Sequence, residues 1–109
     1  MKIIVQKFGG TSVSSKDGRE KAVNKIIEKY KMGYKIVVVV SAMGRKGDPY
    51  ATDTLLNIIN PKVMANKEID MLISCGEIIS SVVLANHLCE KGYKVEVLSS
   101  SARHEAVKT

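Results

Sequence analysis

The sequence predicts an α/β protein, layered αβα around a mainly parallel sheet, and three observations carry that expectation. Two short aliphatic runs, Ile3-Ile4-Val5 and Ile36-Val37-Val38-Val39-Val40, read as strands buried on both faces, because continuous β-branched runs suit the interior of a parallel sheet. A helical pattern lies between them, so residues 3–40 form one strand–helix–strand unit, which crosses over right-handed. The first run ends in Lys7-Phe8-Gly9-Gly10-Thr11-Ser12-Val13, a glycine turn at the C-terminal edge of a strand, where open α/β sheets place ligands.

The first strand spans Ile3 to Lys7. In the turn after it, two adjacent glycines allow a ligand to approach closely and let backbone N–H groups face an anion. Lys7 brings a mobile cation to the same place, and Thr11 and Ser12 either add hydroxyl donors or cap the turn. The residues leave a plainer reading open, a tight strand-to-helix turn with Lys7 as a solvated charge. The Walker pattern does not apply, since there the lysine follows the glycines and here it precedes them.

Ser14, Ser15 or Asp17 is placed to cap the next helix, which runs to about Met32 with Val23, Ile26, Ile27 and Tyr30 on one stripe and Gly33 as its stop. Lys16, Arg19, Lys21, Lys25 and Lys29 fall on its wet face. The second strand, Ile36 to Val40, should then end beside the first, with Lys7 and Ser41 opening on one edge. The loop from Ser41 to Asp53, containing Gly44, Gly47 and Pro49, lies over that edge. Arg45 and Lys46 read as solvated loop charges. Thr52 or Asp53 is placed to cap a short helix carrying Leu55-Leu56 and Ile58-Ile59 and stopping near Asn60-Pro61.

A further helical run begins around Glu68, is interrupted at Gly76-Glu77 and resumes through Leu88 and Cys89 with little wet face. Glu77 is the anomaly there. An acid at a helix N-terminus is favoured by the dipole, by about 0.3 to 1 kcal/mol, whereas a buried acid needs a cationic partner such as a ligand ammonium. Gly92 ends the helix, and Lys94-Val95-Glu96-Val97-Leu98 alternates as a third strand. Residues 99–109 carry no assignable element.

Composition bounds the rest. A chain of 109 residues is one small domain or a piece of a larger one, and its single Phe and absent Trp make the core aliphatic and base stacking an unsuitable mode of binding. Residues 2–46 hold eleven of the seventeen Lys and Arg but three of the eleven acids, which suits an anionic partner such as a nucleotide, a nucleic acid or a phosphorylated metabolite. Cys75 and Cys89 lack a second pair or a clustered histidine, so neither a zinc site nor a disulfide framework is supported. The N-terminal apolar run is too short for a signal segment or a membrane span, which makes the cytoplasm the expected compartment.

Three motifs in order, Lys7 to Val13, then Val40-Ser41-Ala42-Met43-Gly44 with Thr52-Asp53, then Ser74-Cys75-Gly76-Glu77-Ile78-Ile79-Ser80, resemble the N-terminal part of the aspartate kinases, members of the amino-acid kinase family. The loop from Arg45 to Asp53 is most similar to the diaminopimelate-sensitive isoform of spore-forming bacteria. The resemblance covers residues 1–98 and implies the N-terminal half of the amino-acid kinase fold there, with 99–109 as an unassigned tail. It implies ATP-dependent phosphorylation of the L-aspartate side-chain carboxylate to 4-phospho-L-aspartate, on the way to lysine, threonine and methionine.

By the same resemblance Lys7 is catalytic, neutralising the phosphates and the transferring group. Lys7, Phe8, Gly9, Gly10, Thr11 and Ser12 would hold ATP, while Ser41, Thr52 and Glu77 would hold aspartate, Glu77 through the α-ammonium. Magnesium would enter with ATP rather than on protein ligands, and a homo-oligomer without nucleic-acid or membrane partners is implied. Family members run several times longer and continue after the third strand into a Thr-Gly and Ala-Gly tract, where this chain has Ser99-Ser100-Ser101-Ala102-Arg103-His104. The chain alone is therefore expected to show little or no kinase activity and to self-associate through an open edge or helix face. A related carboxylate kinase, or a non-catalytic phosphate- or nucleotide-binding fragment, is the alternative reading.

Overall fold

A computed structural model of the protein describes residues 2–44 and 47–98; the expectations placed on Arg45, Lys46 and the tail 99–109 lie outside the described residues. The elements are β1 (Ile3–Phe8), α1 (Gly10–Val13), α2 (Lys16–Lys31), β2 (Lys35–Val40), α3 (Thr52–Leu56) and α4 (Asn66–Glu90). Strands β1 and β2 pair in parallel, with Ile3 opposite Lys35 and Phe8 opposite Val40, and α2 makes the crossover between them. Helix α2 starts where its cap directs: the Ser15 hydroxyl oxygen accepts the Gly18 N–H at 3.0 Å. It stops where Gly33 takes a φ of +94°, a conformation glycine adopts without penalty.

Strand alternation places the core. Ile4, Gln6 and Phe8 of β1 and Ile36, Val38 and Val40 of β2 turn toward the helices, where Phe8 and Val40 join Val13, Val23, Ile26 and Leu84 in one apolar cluster. Ile3, Val5, Val37 and Val39 turn the other way and remain 43% to 64% exposed. The α/β class and the parallel sheet are as expected, but the strands are not buried on both faces. Among the described residues, α2 and α4 pack on a single face of the sheet, so a run built for two covers receives one.

Three further expectations are corrected. Helix α4 is continuous through Gly76-Glu77. A Cβ at Gly76 would lie 2.7 Å from the Tyr50 carbonyl oxygen and 2.9 Å from the Ala42 Cβ, so this glycine permits a close crossing and does not break the helix. Glu77 consequently sits in mid-helix, where the N-terminal dipole argument has no force. At α3 the capping position is Ala51, neither Thr52 nor Asp53 caps it, and the helix ends at Leu56 short of Ile58-Ile59. Lys94 to Leu98 does not join the ladder: alternation shapes a strand, but only a hydrogen-bonded neighbour makes one, and the described sheet has two strands.

Helix α4, at 25 residues and a mean hydropathy of 1.5 over its most apolar window, is long and apolar enough to cross a membrane. Its line of Gly76, Ser80, Leu84 and Leu88 at helical spacing is buried against the protein, while Met71, Ile78 and Val82 elsewhere on it stay exposed. A polar cluster fastens α4 to α2 as well. Glu20 Oε1 accepts from Lys91 Nζ at 2.5 Å, and Glu20 Oε2 lies 2.5 Å from His87 Nε2. The hydrogen bond from Lys91, then that from His87, holds the Glu20 carboxyl below its ordinary range.

Two outcomes follow from these contacts. Gly76→Ala improves helix propensity by about 0.8 to 1 kcal/mol, yet its methyl meets backbone that cannot swing aside. We expect a net loss of about 1 to 3 kcal/mol in urea unfolding. For Glu20, a lowered folded-state pKa means that its stabilisation is complete above the ordinary carboxylate range and is lost as pH falls through the lowered value. The stability difference between the protein and Glu20→Gln, measured by thermal unfolding, should therefore be present at neutral pH and shrink as pH drops below about 4.5.

Candidate active site

The parallel register brings the C-terminal ends of β1 and β2 side by side, and backbone hydrogen bonds continue past both. The Ser41 N–H donates to the Phe8 carbonyl at 3.2 Å, and the Gly44 N–H to the Gly10 carbonyl at 3.0 Å. Such closeness depends on Gly10, because a Cβ there would collide with the Ala42 carbonyl oxygen. Gly44 adds the conformational half of the fit, with a φ of +90°. The first two motifs are thus stitched together main chain to main chain.

Within the turn, the carbonyls are taken up by the protein. Gly9 accepts from the Ser12 N–H at 3.1 Å, Thr11 from the Ser14 hydroxyl at 3.2 Å and Val13 from Arg19 Nη1 at 3.0 Å. The amides of Gly10 and Thr11 have no hydrogen-bond acceptor among the described residues. Gly9 is exposed, in ordinary extended geometry at φ −75° and ψ 169°, and a Cβ on it would meet no atom within 4 Å. Neither backbone conformation nor internal packing calls for glycine at this position.

The expected site residues divide between edge and core. Lys7 lies opposite Val39 in the ladder and is exposed, on the uncovered sheet face shared by Ile3 and Val5. Phe8 alternates inward and its ring belongs to the apolar cluster, so what Phe8 offers the edge is its backbone and not its side chain. Thr11 and Ser12 are exposed on the turn. Ser41 is half-buried immediately after β2, and Thr52 is exposed at the first residue of α3.

Glu77 is exposed on α4 beside Gly76, and the Gly76 crossing onto Ala42 and Tyr50 carries that part of α4 to the same edge. Among the described residues, Lys7, Ser41, Thr52 and Glu77 form no ion pair or side-chain hydrogen bond with one another. A groove of about 320 Å³ opens next to the turn, lined by Ser14, Met43, Gly44, Asp48, Pro49 and Tyr50.

Sequence reasoning missed two residues that shape this edge. Arg19 has the spacing of a wet-face residue of α2, yet it reaches back to the turn. At Gly18 the available signal is propensity, since a glycine in the first turn of a helix is unfavourable and so asks for a reason. The reason is contact: a Cβ on Gly18 would strike the Ser12 carbonyl oxygen.

The edge therefore presents a mobile cation, unspent amides and hydroxyls on one flank, and an exposed carboxylate on a neighbouring helix. Those groups suit an anion at the turn and an ammonium at Glu77. Among the described residues no three His, Cys, Asp or Glu side chains gather where they would hold a metal ion.

Comparison with known proteins places this arrangement in a family. Residues 2–108 match the amino acid kinase family. The chain is 54% identical over 103 residues to Aspartokinase 1 of Bacillus subtilis, covering 93% of this chain and 26% of that protein. To the aspartokinase of Geobacillus stearothermophilus it is 47% identical over 103 residues, covering 91% and 24%. A crystal structure of aspartate kinase from Synechocystis shares its fold with a TM-score of 0.72 at 36% identity, over 88% of this chain and 16% of that one.

The chain spans about a quarter of the length of the curated relatives it matches. Its match along residues 2–108 and its shared fold with a solved aspartate kinase converge on one conclusion: this chain belongs to the amino acid kinase family.

Proposed function

We propose that this chain carries the phosphate-binding turn and the aspartate contacts of an aspartate kinase, which transfers the γ-phosphoryl group of ATP to the side-chain carboxylate of L-aspartate. The observation that carries the reading is Gly9, a glycine that the protein's own structure does not require and above which the space is open. An incoming phosphate is a reason for keeping that space clear, since a methyl there would stand between ligand and turn. The relatives named aspartokinase support the reaction class.

In this reading Lys7 offsets charge on the phosphates and on the group in flight, the amides of Gly10 and Thr11 and the hydroxyls of Thr11 and Ser12 donate to phosphate oxygens, and the carboxylate oxygen of aspartate attacks phosphorus as ADP leaves. Phosphoryl transfer asks chiefly for positioning and for stabilisation of charge, which these residue types supply. Ser41 and Thr52 orient the acceptor, and Glu77 pairs with its α-ammonium. Magnesium arrives with ATP. The reaction would serve amino-acid biosynthesis in the cytoplasm, and the loop before Thr52 points to a diaminopimelate-sensitive isoform. L-Aspartate is the small-molecule partner and a homo-oligomer the working form.

The reading is tested by titrating the isotope-labelled chain with magnesium-ATP and following amide resonances. Shifts are expected at Lys7 and at Gly9 to Ser12. Gly9→Ala should leave stability unchanged or raised by about 0.4 to 1 kcal/mol, while weakening the response at least about tenfold, a factor worth about 1.4 kcal/mol. Wild-type affinity in Gly9→Ala would remove the reason for the proposal. Binding without ADP formed in the presence of aspartate is the result expected of the chain alone, and steady ADP formation abolished by Lys7→Ala would overturn that expectation. Glu77→Gln, at an exposed site, should leave stability within about 0.5 kcal/mol and abolish the response of the α4 amides to L-aspartate.

A further inference from the structure

The glycine turn is too short to hold itself. Four residues of helix cannot close a stable run, and the terminal carbonyls of any helix need partners from outside it. In this protein each carbonyl in turn finds something. Gly9 O is tied by Ser12 N–H, Gly10 O by Gly44 N–H, Thr11 O by the Ser14 hydroxyl and Val13 O by Arg19, while Ser12 O rests against the bare Cα of Gly18.

Peptide units are rigid planes, so a carbonyl fixed in one direction fixes the N–H of the next residue in the other. The bond to Gly9 O thereby aims the Gly10 amide, and the bond to Gly10 O aims the Thr11 amide. Arg19 closes the series at its far end. It is the one charged side chain among the described residues that bonds to the turn's backbone, and it comes from another helix.

We propose that Arg19 is a positioning residue for the phosphate-binding turn: its guanidinium on the Val13 carbonyl, with Gly18 admitting α2 against Ser12, holds the turn in its ligand-receiving conformation without touching the ligand. Arginine fits this task better than lysine, because its planar head stays charged and offers donors at a fixed angle. The neighbouring residue strengthens the hold. Glu20 is fastened to His87 of α4 and to Lys91 at its C-terminal end, so the Arg19-Glu20 pair ties the turn on one side and the long helix on the other. The proposal rests on the phosphate reading of the turn given above.

The test compares Arg19→Ala, Arg19→Lys and Gly18→Ala in the full chain by amide hydrogen exchange without ligand and by resonance shifts with magnesium-ATP. Exchange at Ser12, whose N–H is bonded to the Gly9 carbonyl, should quicken at least about tenfold in Arg19→Ala and in Gly18→Ala while the core amides of α4 keep their wild-type rates. Magnesium-ATP binding should weaken at least about tenfold in both, because the ligand must then reorder a turn that occupies its receiving conformation only part of the time. Arg19→Lys should recover part of each loss.

Wild-type exchange in the turn of Arg19→Ala overturns the proposal. Lys7→Ala separates the two ideas, since it should lose ligand binding with turn exchange unchanged. Should the wild-type chain show no response to magnesium-ATP, the phosphate reading fails, and exchange in the unliganded variants still decides the role of Arg19. If circular dichroism shows Arg19→Ala to be unfolded, Arg19→Lys and Gly18→Ala carry the comparison.

Discussion

The structure turns on how closely the backbone at Gly10 approaches the backbone from Ala42 to Gly44. One hydrogen bond, from the Gly44 N–H to the Gly10 carbonyl at 3.0 Å, runs across that approach, and a Cβ at Gly10 would collide there with the Ala42 carbonyl oxygen. The same small residue is approached from its other side. Ala42, 6% exposed, has its carbonyl against Gly10 and its methyl against Gly76 of α4. Three segments far apart in sequence therefore meet at one alanine, and the motifs at the ends of β1 and β2 and in mid-α4 are neighbours because all three are small at the point of crossing. Close packing of this kind leaves no slack for an added methylene.

Charge is distributed around that crossing with two distinct uses. Lys7 stands exposed at the end of a strand, where a mobile cation retains its hydration until something anionic replaces it. Arg19 and Glu20, by contrast, are spent on the protein itself, one on a main-chain carbonyl and one on a pair of basic side chains across a helix interface. Glu20 remains partly exposed, so its pairing is tempered by solvent. The basic first half of the chain is consequently not a uniform anionic-ligand surface. Lys16, Lys21 and Lys25 face solvent along α2, and the charge with a clear chemical opportunity sits at the sheet edge.

Much of this is legible in the amino-acid sequence. Periodicity located both strands and α2 to within a residue or two, because β-branched runs and a serine cap followed by an amphipathic stripe are local signals with local causes. The glycine turn and its edge were legible for the same reason. What escaped depended on partners distant in sequence. Gly76 looked like a helix breaker, since propensity knows nothing of Ala42 and Tyr50 on the far side of the crossing. Lys94 to Leu98 carries the alternation of a strand without a neighbour to bond, and Arg19 has the spacing of a solvated residue but the reach of a tether. Phe8 shows the reverse case: it falls inside the Lys7–Val13 turn motif, yet strand alternation sends its ring to the core.

The uncovered sheet face has a thermodynamic consequence. Ile3, Val5, Val37 and Val39 are hydrated in the folded state and hydrated again when the chain unfolds, so they add little to the surface newly exposed. Heat-capacity change and denaturant sensitivity both scale with that surface. The described fold should thus unfold over a broader denaturant range, and with a flatter temperature dependence of stability, than a chain of 109 residues usually shows. Anything that seats on those four side chains would restore the missing steepness, which makes the sharpness of the unfolding transition a direct report on whether that face is covered.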